Sequence, residues 1–335
     1  MTRTALAPVF TGDGRIEFAD RSYPDPGPGQ LLLAVQANAL CGTDRDQYFG
    51  GSGVVPGHEA AGTVLVAGEG TRVPAGTRGA VFLMDYCGEC RSCLLGATNQ
   101  CLAKRADMGF THDGGYGPFE LVHETNFFPI SDDIEIGTAT MLLDVMGTSS
   151  HALGRAALIR PDIESVYIAG AGPIGLGLAV MSRLRYGADV PVYISDIARW
   201  RLDFAESFGA IPVLADDVGA AGSPDIAFDS SGKGVARRAA LDILGRRGAL
   251  ICVGHGETVT IDVSRDLIAP EHAILGSEYF RYDEMAGNLA LLQANQELIG
   301  RVISHRFPVA DIGEAFRLFL SGETGKVVVT QDAAS

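Results

Sequence analysis

Basic charge is scarce in this chain of 335 residues: 26 lysines and arginines stand against 41 aspartates and glutamates, a formal net charge of −15. That balance argues against binding a nucleic-acid phosphate backbone or an anionic membrane surface. Long apolar runs are missing too. A bilayer-spanning helix needs about 20 apolar residues, and the longest uncharged stretch, from Val166 to Arg183, is broken by four glycines and Pro173. Met1 to Phe10 has no extended apolar core after a basic start and does not read as a secretory leader. Low-complexity segments and internal repeats are also absent. The expectation is a cytoplasmic protein with no membrane and no nucleic-acid partner.

What is present is a packable chain, 47% hydrophobic with 43 glycines. Its length favours two domains over one core. The first part reads as short strands separated by Gly/Pro turns, among them Leu31 to Val35, Ala61 to Val66 and Gly79 to Leu83, with Asp25-Pro26-Gly27-Pro28-Gly29 as a turn cluster. Strand and helix then alternate. Ser165 to Ala169, Val190 to Ser195, Ile211 to Leu214, Ile226 to Asp229 and Ala249 to Val253 read as strands. Pro173 to Tyr186, Ala198 to Phe208 and Val235 to Leu244 read as helices between them. This succession predicts an α/β domain with a parallel sheet covered on both faces. Two amphipathic helices, about Met285 to Gln296 and Ala310 to Ser321, and a last strand, Lys326 to Thr330, close the chain. The expected boundaries give residues 148–275 to the α/β domain and return 276–335 to the domain begun by 1–147.

Cysteine is rare, six in all, yet four fall between residues 87 and 101 as C-x2-C-x2-C-x7-C: Cys87, Cys90, Cys93 and Cys101. Four thiolates at this spacing can close a tetrahedral zinc site with no open position, a structural role. C-x2-C neighbours seldom reach disulfide geometry, and nothing in the sequence points to an oxidising compartment.

Gly170-Ala171-Gly172-Pro173-Ile174-Gly175 is a G-x-G-x-x-G run that directly follows a predicted strand and opens a predicted helix. Gly170 suits a tight turn, Gly172 a close backbone approach to a pyrophosphate, and Gly175 close helix–strand packing. Pro173 and Ile174 would place the helix N-terminus under the phosphates. Asp196 ends the next strand and can accept hydrogen bonds from ribose hydroxyls, which favours NAD over NADP; read alone it is also a plausible helix cap. Arg199 and Arg201 lie just beyond and could soften that preference.

Two further patches hold metal-type ligands, Cys41-Gly42-Thr43-Asp44 and Gly57-His58-Glu59. Taken alone, Cys41 reads as a small buried hydrophobe and His58 as a satisfied polar residue. In order along the chain, these two patches, the four-cysteine lobe and the late glycine fingerprint resemble the zinc-dependent medium-chain alcohol and polyol dehydrogenases, over nearly the whole sequence. The resemblance implies a GroES-like, mostly β catalytic domain interrupted by a Rossmann domain. It also implies two zinc ions per chain, one structural and one catalytic, with Cys41 and His58 binding the second. The third ligand in such enzymes comes shortly before the Rossmann domain. In Met141 to Thr148 the only charged residue is Asp144, and an unpaired carboxylate in so apolar a run would be costly.

By the same resemblance Glu59 would support the ligands or exchange with water at the metal. Thr43 would bond the substrate hydroxyl and begin a proton path. Asp46 stands where family members often carry a histidine, either as the terminal base or as a surface carboxylate. Lys326 would face the pyrophosphate. Tyr48, Phe49, Phe110, Tyr116 and Phe119 are candidates to line the cleft between the domains. The implied activity is hydride transfer between NAD and the CH–OH group of a secondary alcohol, polyol, sugar or cyclitol, by a homodimer or homotetramer. Zinc-independent quinone or enoyl reductases share the fold but lack the Cys41 and His58 pattern. A zinc module for macromolecular partners would need only the four-cysteine lobe, and a non-catalytic NAD-binding protein would not need Thr43, His58 and Asp144 intact.

Overall fold

Alternation along Gln30–Ala39 sets the first sheet. Leu31, Leu33 and Val35 share one face and join Val64, Val81 and Phe127 in an apolar cluster, as the two-residue period of a strand requires. The computed structural model describes residues 2–331. Met1 and residues 332–335, the outermost residues of the expected first domain, lie outside the described residues. The chain divides into two compact units. One holds the residues up to Asp144, Arg281–Leu320 and the segment from Lys326; the other holds Val145–Phe280 with Ser321–Gly325.

In the first unit β1 (Arg3–Gly12) and β2 (Arg15–Tyr23) form a hairpin. They are followed by β3 (Gln30–Ala39), α1 (Asp44–Gly50), β4 (Ala60–Ala67), β5 (Arg78–Val81), β6 (Met84–Asp85), α2 (Arg91–Leu94), β7 (Ala106–Asp107), β8 (Phe119–His123), β9 (Phe127–Pro129) and α3 (Ile136–Ala139). The second unit contains α4 (Ser149–Ile159), β10 (Val166–Ala169), α5 (Pro173–Tyr186), β11 (Val192–Asp196), α6 (Arg199–Glu206), β12 (Ile211–Leu214), β13 (Ile226–Asp229), α7 (Gly234–Ile243), β14 (Ala249–Cys252) and β15 (Ala273–Gly276). The chain then adds α8 (Glu284–Ala294), α9 (Gln296–Gly300), β16 (Ile303–Pro308), α10 (Ile312–Ser321) and β17 (Lys326–Thr330) to the first unit.

The first unit is built on a seven-stranded sheet in the order β16-β17-β3-β4-β5-β9, with β8 also pairing β3. A second apolar cluster joins Phe10, Tyr48, Tyr116 and Phe316 with Val327 and Val329 of β17. The second unit is a six-stranded, all-parallel sheet in the order β12-β11-β10-β13-β14-β15. Counted from its own first strand this is 3-2-1-4-5-6, the doubly wound order of dinucleotide-binding domains, and ligands in such sheets bind at the carboxyl ends of the strands. The α/β expectation, with a mostly β domain and an inserted parallel sheet, is met. The hairpin of β1 and β2, helix α4 and strand β15 are additions to the sequence reading.

Candidate active site and metal centres

The four-cysteine lobe lies between β6 and β7. Its Sγ–Sγ distances are 3.5 Å for Cys87–Cys101, 3.9 Å for Cys90–Cys101 and 4.0 Å for Cys87–Cys93. Disulfide sulfurs stand about 2.05 Å apart, and all four cysteines are free. The edge of a zinc–thiolate tetrahedron with bonds of about 2.3 Å is about 3.8 Å, so the four sulfurs fit that ion. Backbone amides point at them: the N–H groups of Cys90 and Leu102 donate to Cys87 Sγ and Cys90 Sγ at 3.3 and 3.4 Å. The amides of Cys93 and Leu102 pull the Cys90 thiol down to about 6, while desolvation and the neighbouring thiols push Cys93 up to about 12. A cation among the four sulfurs would hold them all as thiolates, Cys93 included.

The second cluster is wholly within the first unit. Cys41 follows β3, His58 and Glu59 precede β4, and Asp144 begins a π-helical turn, Asp144–Thr148, a distortion frequent at functional sites. One ligand atom from each of the four residues lies within 4.8 Å of all the others, and all four are buried. Cys41 Sγ stands 2.9 Å from Asp144 Oδ2, and His58 Nε2 stands 3.7 Å from the same oxygen. Among the described residues only this group and the four-cysteine lobe bring at least three such ligands together.

The electrostatics explain what the cluster needs. Burial and the charge of Asp144 push both the Cys41 thiol and the Glu59 carboxyl up. Burial opposes ionisation of Asp144, but the hydrogen bond and charge of His58 and the charge of Lys326 hold it well below the usual carboxylate range. Burial would lower His58, yet Asp44 and Asp144 together raise it. Thiol, imidazole and carboxylate converge in a low-dielectric pocket, a donor set that suits zinc. A divalent cation would relieve the acid excess that burial otherwise resists.

Two residues outside the expected set organise the ligands. Asp44, fully buried, accepts the Cys41 N–H at 2.9 Å and the Tyr116 hydroxyl at 2.6 Å on Oδ2, and its Oδ1 faces His58 Nδ1 at 3.2 Å. Asn38 Oδ1 accepts the Glu59 N–H at 3.1 Å. Gly57 has φ +99°, and a Cβ there would come within 2.8 Å of the Tyr116 nitrogen, so only glycine lets this segment run against the Gly114–Tyr116 backbone. The place of Asp44 in the Cys-Gly-Thr-Asp patch could have pointed to it; no local pattern marks Asn38.

Other expected residues fall elsewhere. Lys326, expected to face the pyrophosphate, is instead fully buried against Glu59; an amine taken out of water at this position needs a carboxylate, and Glu59 supplies it. Thr43 and Asp46 are exposed at the start of α1. Of the aromatic candidates, Tyr48 and Tyr116 are core residues, and Phe119 packs edge-on against Tyr23. Phe49 is exposed under the Arg45 guanidinium. Phe110 borders the cluster, its partly exposed ring 4.9 Å from that of His58.

In the second unit β10 runs into Gly170, whose φ is +97°. Gly172 stands at the N-cap of α5 and Pro173 at its start. A Cβ on Gly175 would lie 1.8 Å from the Gly170 oxygen, whereas Gly172 faces open space out to the Arg201 guanidinium at 3.9 Å. Asp196 closes β11 and ties the turn together: Oδ2 accepts the Ala171 N–H at 2.7 Å and Oδ1 the Ala198 N–H at 2.8 Å. The Arg201 guanidinium stands 4.0 Å from its carboxylate. The fingerprint thus sits at a carboxyl-end rim with an open approach to a helix N-terminus, the geometry that receives a pyrophosphate. No helix of the described residues is long and apolar enough to cross a membrane.

Comparison with known proteins matches two family models to this chain. Residues 27–132 match the alcohol dehydrogenase GroES-like domain, and residues 173–294 match the zinc-binding dehydrogenase family. The chain is 31% identical to an L-threonine 3-dehydrogenase of Rhizobium etli (strain CIAT 652), over 92% of this chain and 93% of that protein. It superposes on a cobalt- and zinc-bound thermostable alcohol dehydrogenase from Pyrobaculum aerophilum with a TM-score of 0.83 at 27% identity, covering 98% and 100% of the two chains. A zinc-binding dehydrogenase from Sinorhizobium meliloti 1021, bound to NADP, gives a TM-score of 0.85 at 26% identity and 98% and 99% coverage.

Proposed function

The chain belongs to the zinc-dependent medium-chain alcohol dehydrogenases, oxidoreductases that act on CH–OH groups with a nicotinamide acceptor, and from this premise we propose that Cys41, His58 and Asp144 hold its catalytic zinc. The observation that carries the assignment is the buried convergence of thiol, imidazole and carboxylate on one point. The four-cysteine lobe would hold a second, structural zinc.

Bound zinc would act as a Lewis acid that favours loss of the substrate hydroxyl proton, and the nicotinamide would accept the hydride. Asp44 keeps the His58 ring and the Cys41 backbone oriented toward that point. Thr43 would accept a hydrogen bond from the substrate hydroxyl and, as that proton arrives, release its own hydroxyl proton outward. Asp46, exposed in the same first helical turn, would pass it to solvent in place of a histidine. Glu59, held by Lys326, would adjust the charge behind the ligands. Phe110 would wall the substrate beside His58.

The proposed cofactor is NAD rather than NADP, because the Asp196 carboxylate would repel a 2′-phosphate. Arg201 lies close enough to temper that preference. The proposed substrates are secondary alcohols, polyols, sugars or cyclitols, and the proposed state is a cytoplasmic homodimer or homotetramer. The test is NAD reduction by the purified protein with a panel of such alcohols. Activity with at least one of them is expected, and its loss in Cys41→Ala with the fold retained. Activity that survived this substitution would remove the catalytic zinc.

A further inference from the structure

Asp44 is a carboxylate with two tasks. Its Oδ2 receives the backbone N–H of Cys41 at 2.9 Å, and its Oδ1 faces His58 Nδ1 at 3.2 Å. The direction of the carboxylate plane therefore sets both a ligand backbone and a ligand ring. A carboxylate with only those two partners could still rotate about its Cβ–Cγ bond, because terminal sp² torsions are broad. The Tyr116 hydroxyl removes that freedom by donating to Oδ2 at 2.6 Å.

Tyr116 is itself immobile. Its side chain is fully buried, its ring stacks on Phe10 at 5.8 Å and 12°, and Phe316 meets it edge-on at 5.9 Å. Its N–H donates to the Pro56 oxygen at 3.1 Å, and the Gly115 N–H donates to the Gly57 oxygen at 2.8 Å. The segment carrying the hydroxyl is thus bonded to the segment carrying His58. A buried phenol aimed at a buried carboxylate is also a short, strong, charge-assisted bond. Partners of this kind tune metal affinity even though they never touch the ion.

We propose that Tyr116 is a positioning residue for the metal centre: its hydroxyl locks Asp44 so that Oδ1 is left for His58 and Oδ2 for Cys41. The inference rests on the assignment of Cys41, His58 and Asp144 as ligands. Tyr116→Phe removes one oxygen and leaves the packed ring in place. Zinc affinity is measured on the full-length protein by chelator competition, with the four-cysteine lobe as an internal reference. The expected result is affinity about tenfold weaker at the Cys41 site and unchanged at the lobe. In an Asp44→Asn background, which alters the acceptor, Tyr116→Phe is expected to add much less, since coupled residues are non-additive.

Equal zinc affinity in wild type and Tyr116→Phe overturns the inference, whether or not the Asp44 variant folds. So does an equal loss in both backgrounds, which would mean that Tyr116 acts independently of Asp44. A wild-type protein that binds zinc only at the lobe removes the ligand assignment itself, and the inference with it.

Discussion

Lys326 and Glu59 form an ion pair in which both side chains are wholly out of water. Burying either charge alone would be prohibitive, and the pair persists because each neutralises the other beside the Cys41, His58 and Asp144 cluster. Removing one partner strands the other, at a cost of about 3–5 kcal/mol. Lys326→Met should therefore destabilise the first unit by roughly that amount, measured by urea unfolding. Lys326→Met combined with Glu59→Leu should recover much of the loss. If the double variant were no more stable than the single one, the pair would not be the source of the effect.

Metal content separates the two centres. On the proposed assignment of one zinc to each centre, Cys93→Ala should remove one zinc per chain and reduce thermal stability, because closed zinc sites contribute folding energy. Asp144→Ala should also leave one zinc, but with the melting temperature of the lobe-dependent fold largely kept and turnover lost. Atomic-emission counting of both purified variants checks this. Identical zinc content in wild type and Asp144→Ala would exclude Asp144 as a ligand.

Asp196 has a second consequence. Its carboxylate already holds the Ala171 and Ala198 amides, so it would bind ribose from a pre-set orientation. Hydrogen bonds to a charged group contribute about 1.5–3 kcal/mol, which is roughly ten- to a hundredfold in affinity. Asp196→Ala should raise the Kd for NADH by that factor while the Kd for NADPH changes little or falls. Titration of both cofactors by fluorescence reads the ratio. A parallel weakening of both would mean that Asp196 only supports the turn.

The sequence made the second unit legible because its signals are local. Pro173 at the first helical position and Gly187 after the last place α5 (Pro173–Tyr186) without reference to anything distant. Short apolar runs place β12 and β13 in the same way. The four cysteines were equally readable, since their spacing is itself the geometry. Asp44, Tyr116 and Lys326 were less so. Their roles depend on pairings across the first unit, such as Tyr116 with Asp44 and Lys326 with Glu59. No periodicity marks which buried phenol meets which carboxylate. Helix α4 (Ser149–Ile159) was missed for a related reason: its small residues give little amphipathic contrast.

Glu120 offers a pH test that involves none of the proposed metal ligands. It lies in β8 opposite Leu33, fully buried, with no hydrogen-bond partner for either oxygen. Burial, with the Asp113 charge adding to it, holds its carboxyl well above the usual carboxyl value of 4.5. In the unfolded chain the group ionises near that value, while in the fold it stays protonated. As pH rises above 4.5 the unfolded state therefore releases a proton that the folded state retains, and stability falls until the folded pKa is passed. Glu120→Leu removes both the group and its titration. It should stabilise the protein at neutral pH by about 1–3 kcal/mol and by much less near pH 4, where both states of the wild type are protonated. Urea unfolding of the two proteins across that range gives the difference directly. A stability gap independent of pH would show that Glu120 is ionised in the fold and has found a partner.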